Sequence, residues 1–283
     1  MRPQEPDAPS AGSASAASLH QPNPLRAVTG FLFKTLTIAE MEARKLRHDY
    51  TELVMRAVQP ALWLLVFGQV FTRTRAIPTG DLPYIDFMAP GILAQSVLFI
   101  AIFYGISVIW ERDLGIIHKF LASPTPRPAL VLGKALSAGV RGLAQAVIVF
   151  ALALVLGVGL DWNPLALIGV LVMVILGAAL FSTFSLIIAC LVKTRERFMG
   201  IGQVLTMPLF FASSAIYPVS MMPRWLQAIA RGNPLTYEVD GLRTLMLSGG
   251  ASYYGLAVDF AVMVGAIVLL VVIAGRLYPN VAT

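Results

Sequence analysis

Long apolar runs, free or nearly free of charge, recur along this chain and are separated by short basic or turn-forming segments. Residues 87–110, 142–160 and 165–192 carry no charged side chain at all. Residues 53–71 are broken only by Arg56 near their start, 198–217 by proline, and 255–275 by Asp259 alone. About 20 helical residues cross the roughly 30 Å hydrocarbon core of a bilayer. The pattern therefore predicts six membrane spans, at about residues 53–72, 87–110, 135–160, 165–192, 198–217 and 255–275. A membrane barrel shows short alternating segments instead of continuous apolar ones, so the expected fold is all-α.

The connecting segments predict the remaining elements. Between residues 26 and 52, Val28, Phe31, Leu32, Leu36, Met41 and Leu46 interleave with charged residues, as in an amphipathic helix lying in the headgroup plane. Residues 1–25, rich in Ala, Ser and Pro with no apolar stretch, read as a disordered cytoplasmic tail. The second span ends at Glu111-Arg112-Asp113, and Leu114, Ile117 and Leu121 continue it as one helical stripe until the prolines at 124, 126 and 128 stop any helix. Residues 161–164 and 193–197 are tight turns. Residues 217–254 form the longest outer segment, in which 221–230 and 236–247 read as short helices, too short and too charged to cross, that lie at or dip into the outer leaflet.

Composition supports lipid as the solvent, since 57% of the 283 residues are hydrophobic and 13% charged, against about a quarter charged in a soluble domain. The net charge of +6 is explained by position and needs no nucleic-acid partner. Arg44, Lys45, Arg112, Lys119, Lys134, Arg141, Arg195, Arg197 and Arg276 fall on one side of the predicted spans, and Arg73, Arg75, Arg224, Arg231 and Arg243 on the other. The positive-inside rule places the richer side, with both termini, in the cytoplasm of a multi-pass protein of the inner (plasma) membrane.

Catalytic signals are weak. Gly133-Lys134-Ala135 lacks the upstream glycine and the hydroxyl of a phosphate-binding loop, and Gly200-Ile201-Gly202 follows no strand. Gly177, Ala178 and Ala179 read as close-packing positions between helices. His20, His48 and His118 are too scattered to suggest a metal site, and the lone Cys190 permits no internal disulfide. Asp259 is the only acid inside a predicted span, one turn from its outer end, where an interfacial role is expected. An interior so poor in charge argues against an ion-coupled pump.

Two stretches carry a family resemblance. One is Trp110-Glu111-Arg112-Asp113-Leu114-Gly115, continuing through Phe120-Leu121-Ala122-Ser123-Pro124 to Gly133-Lys134. The other is Tyr217-Pro218-Val219-Ser220-Met221-Met222-Pro223-Arg224-Trp225-Leu226, followed by Asn233-Pro234-Leu235-Thr236-Tyr237 and Gly241-Leu242-Arg243. In this order the chain, over about residues 26–277, resembles the ABC type-2 permeases, membrane subunits of exporters of the daunorubicin-resistance and nodulation-factor kind. The resemblance implies a separately encoded ATPase that binds ATP and Mg, with no cofactor in this chain, and a second permease subunit, identical or paralogous. It implies that Glu111, Arg112, Leu114, Ile117, His118, Phe120 and Leu121 couple to the ATPase, with Phe120 and Leu121 at the docked tip. Pro218, Pro223, Trp225, Asn233, Pro234 and Tyr237 are expected to form an outer gate, and Gln95, Phe99, Phe103, Met207, Phe210 and Phe211 to line the path. Cargo is expected to be a drug, lipid or lipid-linked glycan. The competing readings are an ion-coupled secondary carrier and a membrane assembly factor without transport.

Overall fold

The computed structural model describes residues 50–74, 77–80, 82–114, 127–192 and 194–277. The expected tail, nearly all of the amphipathic helix at 26–52, and Ile117, His118, Phe120 and Leu121 lie outside the described residues.

The described chain is helical as the apolar runs require, and an isolated antiparallel bridge between Leu160 and Leu247 is its only β pairing among the described residues. Helix α1, Tyr50–Leu62, passes through one π-helical turn, Trp63–Gly68, into α2, Gln69–Thr74. Pro60 removes one backbone donor ahead of that turn. Aromatic rings four residues apart line this segment, Trp63 on Phe67 at 4.6 Å and Phe67 on Phe71 at 6.3 Å, and Phe71 meets Tyr84 of the next helix at 5.3 Å.

Helices α3, Tyr84–Tyr104, and α4, Ile106–Asp113, form one rod with a break at Gly105. At that break the Ser185 hydroxyl donates to the Ile102 carbonyl, and a Cβ at Gly105 would overlap it. Helix α5 is Arg127–Val155 and α6 is Pro164–Leu191. Asn163 caps α6 by accepting from the Leu165 N–H at 3.0 Å, with Pro164 in the first turn where its missing donor costs nothing. Helix α7 is Arg195–Phe211, capped by Thr194; α8 is Arg224–Gly232, α9 is Pro234–Met246 and α10 is Leu256–Leu277.

Four helices among the described residues are long and apolar enough to cross a membrane: Tyr84–Asp113, Val131–Val155, Pro164–Leu191 and Leu256–Leu277. The α1–α2 segment is interrupted by its π turn, and α7 has 17 residues and starts on Arg195, Glu196 and Arg197. Helices α5 and α6 pack together most extensively, with α3 and α10 laid against them. The main apolar core runs from Leu64 and Met88 through Ile92, Val97, Val149, Met173 and Phe181 to Leu242 and Met263. A second cluster, Val108, Ile109, Val131, Leu186, Phe198 and Ala274, closes the basic end that carries Lys134 and Arg195.

Helices α8 and α9 form a hairpin, as the short-helix expectation for the outer segment requires, and α9 enters the bundle. Its C-terminus lies at the α5–α6 turn, where the Asp161 N–H donates to the Met246 carbonyl at 2.9 Å and the Ser248 N–H to the Gly159 carbonyl at 2.9 Å. From there α9 runs antiparallel to α6, touching Gly169 through Leu245 and Gly177 through Glu238. Gly177 stands midway along α6, so a helix too short to cross still reaches mid-depth.

Candidate functional site

The basic end gathers the α4 stub that ends the second rod. The Glu111 carboxylate pairs with Lys134 of α5. Asp113 accepts from Arg195 of α7 at 2.6 Å and 3.2 Å, and the Arg195 guanidinium lies 3.8 Å from the centre of the Trp110 ring. Arg112 donates to the Val192 carbonyl at the end of α6 and also pairs with Asp113. The stub is thus held by three other helices, while Leu114 just beyond it is 68% exposed. Of the expected coupling residues, Glu111 and Arg112 are engaged in this clamp and Leu114 is not.

The hairpin enters the bundle from the opposite end, and its tip, at the deep N-terminus of α9, is built on Asn233. A helix leaves its last carbonyls without intrahelical donors, and a lipid environment offers none. The Asn233 amide donates to the Leu209 carbonyl at 2.7 Å and the Ala212 carbonyl at 3.2 Å, closing the end of α7. Its side-chain oxygen accepts from the Leu235 N–H at 3.1 Å, so the same residue caps the start of α9. Pro234 follows in the first turn of α9, and the Tyr237 hydroxyl donates to the Arg231 carbonyl at 2.8 Å, holding α8 to α9. Trp225 projects from α8 and is 66% exposed, Pro223 precedes that helix, and Pro218 lies in the segment leading to it.

That segment, residues 212–218, lies on α3. A Cβ at Gly91 would overlap the Ala215 backbone, so the close approach requires glycine there. The Tyr84 hydroxyl donates to the Ile216 carbonyl at 3.0 Å. Arg243 of α9 donates to the Phe87 carbonyl at 3.3 Å and the Ser214 carbonyl at 2.7 Å, and its guanidinium stands 3.8 Å from the Phe87 ring centre. Arg243, placed by the sequence among the charges on the less basic side of the spans, is a buried tie between α9, α3 and the 212–218 segment.

Buried charge extends beyond Arg243. Asp240 accepts from the Tyr253 and Tyr254 N–H groups at 2.9 Å and 3.0 Å and from the Ser252 hydroxyl at 2.8 Å. Asp259, in the first turn of α10 and so near the end of its span as expected, lies beside Ser252 at 3.1 Å with its side chain buried. A cavity of about 510 Å³ opens at this end, lined by Phe87, Ser214, Asp240, Arg243, Tyr253 and Tyr254. Burial raises the pKa of the Tyr254 hydroxyl above its ordinary value. Deeper in, Glu238 faces Gly177, is fully buried, and has no hydrogen-bond partner on either oxygen. The apolar runs by themselves predict an interior poor in charge; the re-entry of α9 brings Glu238 and Asp240 in from a segment outside them. The signal in the sequence is the acid and base spacing of Glu238, Asp240 and Arg243 on one short helix, opposite a mid-span glycine.

The expected path residues fall in different surroundings. Gln95 and Phe210 are sealed in the bundle core, Phe210 against Trp63 at 5.5 Å. Phe99 and Phe103 stack at 6.1 Å on a half-buried face of α3, while Met207 and Phe211 are exposed on α7. Phe211 joins Leu205, Tyr217, Trp225, Ile229 and Asn233 around an apolar groove of about 630 Å³ between α7 and α8.

The family comparison covers both ends of this arrangement. The family described as ABC-2 type transporter matches residues 32–247. The chain is 28% identical over 224 residues to ycf38 of Cyanophora paradoxa, a protein named as a transport permease, covering 77% of this chain and 76% of that one. It is 26% identical over 247 residues to the daunorubicin resistance ABC transporter permease protein DrrB1 of Streptomyces coeruleorubidus, covering 87% and 86%. With the inner membrane transport permease YadH of Escherichia coli K12 it shares 24% identity over 222 residues, 76% and 82% of the two chains. With its apolar spans, its clamped stub and its re-entrant hairpin, this chain belongs to the ABC-2 type transporter family of membrane permeases.

Proposed function

We propose that this chain is the membrane half of an ATP-driven exporter, in which a separate ATPase binds ATP and Mg and docks on the stub after the second span. The observation that carries the reading is the rod of α3 and α4 ending in Glu111-Arg112-Asp113, tied to α5, α6 and α7. A rigid rod clamped to its neighbours at one end turns a push on that end into a tilt of several helices at once. On this reading six segments cross the bilayer, α1–α2 and α7 among them, both termini are cytoplasmic, and two permease subunits complete the path.

The α8–α9 hairpin, with Pro218, Pro223, Trp225, Asn233, Pro234 and Tyr237, is the outer gate. The apolar groove between α7 and α8 and the exposed Met207 and Phe211 favour a hydrophobic or amphipathic cargo, a drug, lipid or lipid-linked glycan. Similarity to a daunorubicin resistance permease supports the same class.

Two measurements test this. Purification in mild detergent after co-expression with the cognate ATPase should yield a complex whose ATP hydrolysis responds to amphipathic cargo. In a Cys190→Ala background, Leu114→Cys should react with an impermeant thiol reagent only from the cytoplasmic side; labelling from outside overturns the reading.

A further inference from the structure

Glu238 is a carboxyl group in a place where a carboxylate is difficult to keep. It stands at the level of Gly177, midway along α6, with no exposed surface and no donor in hydrogen-bond reach. The charged and titratable groups on every packed element are engaged elsewhere or distant. On α9 itself, Asp240 is held by Ser252, Tyr253 and Tyr254, Arg243 by the Phe87 and Ser214 carbonyls, and Tyr237 by the Arg231 carbonyl. From α10, Asp259 faces Gly241, one turn nearer the outer end, beside Ser252; Arg276 is at the far end of that helix. From α3, Asp86 accepts from the Gly159 N–H, Tyr84 donates to Ile216, and Tyr104 lies under Arg141 towards the basic end. On α6 the one titratable side chain is Cys190, thirteen residues beyond Gly177, and on α8 Arg224 and Arg231 are exposed.

An ionised carboxylate sealed from water without a partner costs several kcal/mol, and such a group takes up a proton instead. Burial accordingly pushes Glu238 well above the ordinary carboxylate range.

We propose that Glu238 is a proton-binding site that locks the re-entrant hairpin: α9 packs on α6 only with the carboxyl protonated, and separation of the two helices releases that proton to water and leaves a hydrated carboxylate. This holds whether or not the chain works as an exporter, because it concerns only the contact between α9 and α6. The sign follows from the proton count. Exposed, the group returns to about pH 4.3; packed, its value is higher. Below the exposed value both forms are protonated and the packed form has its full advantage. Between the two values the packed form holds one extra proton, so each unit of rising pH favours separation tenfold.

Infrared spectra of the purified full chain carrying isotope-labelled glutamate test the protonation directly. A protonated glutamic acid C=O band is expected at pH 7 and should vanish in Glu238→Gln; its absence in the parent chain overturns the proposal. Hydrogen exchange of the α9 amides tests the lock. Base-catalysed exchange alone rises tenfold per pH unit, and the parent chain is expected to show a further tenfold per unit, lost in Glu238→Gln. A parent chain with only the tenfold chemical slope overturns the proposal, even where the variant fails to fold.

Discussion

Replacing Gly177 by alanine sets two opposed effects against each other at one atom. In a helix interior, glycine to alanine ordinarily stabilises by about 0.5–1 kcal/mol, because glycine loses more backbone freedom on folding. Here the added Cβ would overlap both carboxyl oxygens and the Cδ of Glu238. That side chain is walled in by α6 and has no exposed surface into which to swing. Overpacking of this kind costs about 1–3 kcal/mol. Gly177→Ala is therefore expected to destabilise by about 1 kcal/mol net from these two magnitudes. In a Glu238→Ala background the overlap is gone and the helix gain of about 0.5–1 kcal/mol should return. Gly265→Ala on α10, where nothing lies within 4 Å of the added Cβ, is the control and should stabilise by about the same helix gain. Reversible unfolding in mixed micelles, run on the four members of the double-mutant cycle, reads these values. The expected coupling is about 1–3 kcal/mol. If Gly177→Ala stabilises as Gly265→Ala does, Glu238 does not lie on α6 and the mid-depth placement of α9 is refuted.

Asn233→Ala removes the cap of α9, worth about 0.5–2 kcal/mol, and strips a donor from the Leu209 and Ala212 carbonyls. Transport should fall while co-purification with the ATPase persists; full transport by this variant or by Tyr237→Phe argues against a gate at the hairpin. Arg243→Lys keeps the charge and loses the fork that reaches Phe87 and Ser214 together. It should destabilise by about 1–3 kcal/mol, the cost of one buried carbonyl left without a donor, measured by unfolding in detergent.

Much of this architecture is legible in the order of residues alone. Long apolar runs are read directly because length and absence of charge are local properties, and they mark out α3, α5, α6 and α10. The Asn233-Pro234 pair and the two short helices α8 and α9 are legible for the same reason, since a cap and a proline act on their own neighbours. The depth of α9 is not. Its position is fixed by long-range contacts, Leu245 on Gly169, Glu238 near Gly177 and Arg243 on the Phe87 carbonyl, that no periodicity records. A charged helix of 13 residues reads as interfacial until its partners are known. The burial of Asp259 is hidden likewise, because Ser252, which lies between it and Asp240, belongs to the preceding loop. The end of α4 is legible as the point where Glu111-Arg112-Asp113 stop an apolar run, whereas its ties to Lys134 and Arg195 cross 23 and 82 residues.

Helix α7 is held at both ends by residues of other elements, Arg195 to the stub at its start and Asn233 to the hairpin tip at its finish. Its 17 residues make a rod of about 25 Å, so a shift of the stub at the basic end can reach the hairpin without passing through the packed centre of the bundle. A charge exchange tests whether this link carries coupling. The Asp113–Arg195 pair is partly exposed, with side chains 37% and 36% accessible, and water screens such pairs, so breaking it should leave stability almost unchanged. Asp113→Arg or Arg195→Asp alone places like charges together, and either variant in the assembled transporter should hydrolyse ATP with less cargo moved per turnover. The double exchange restores the ion pair while leaving Trp110 without the cation above its ring, so transport per ATP should recover in part. Equal transport by all four proteins would show that the clamp is only a surface contact, and the route through α7 would have to be abandoned.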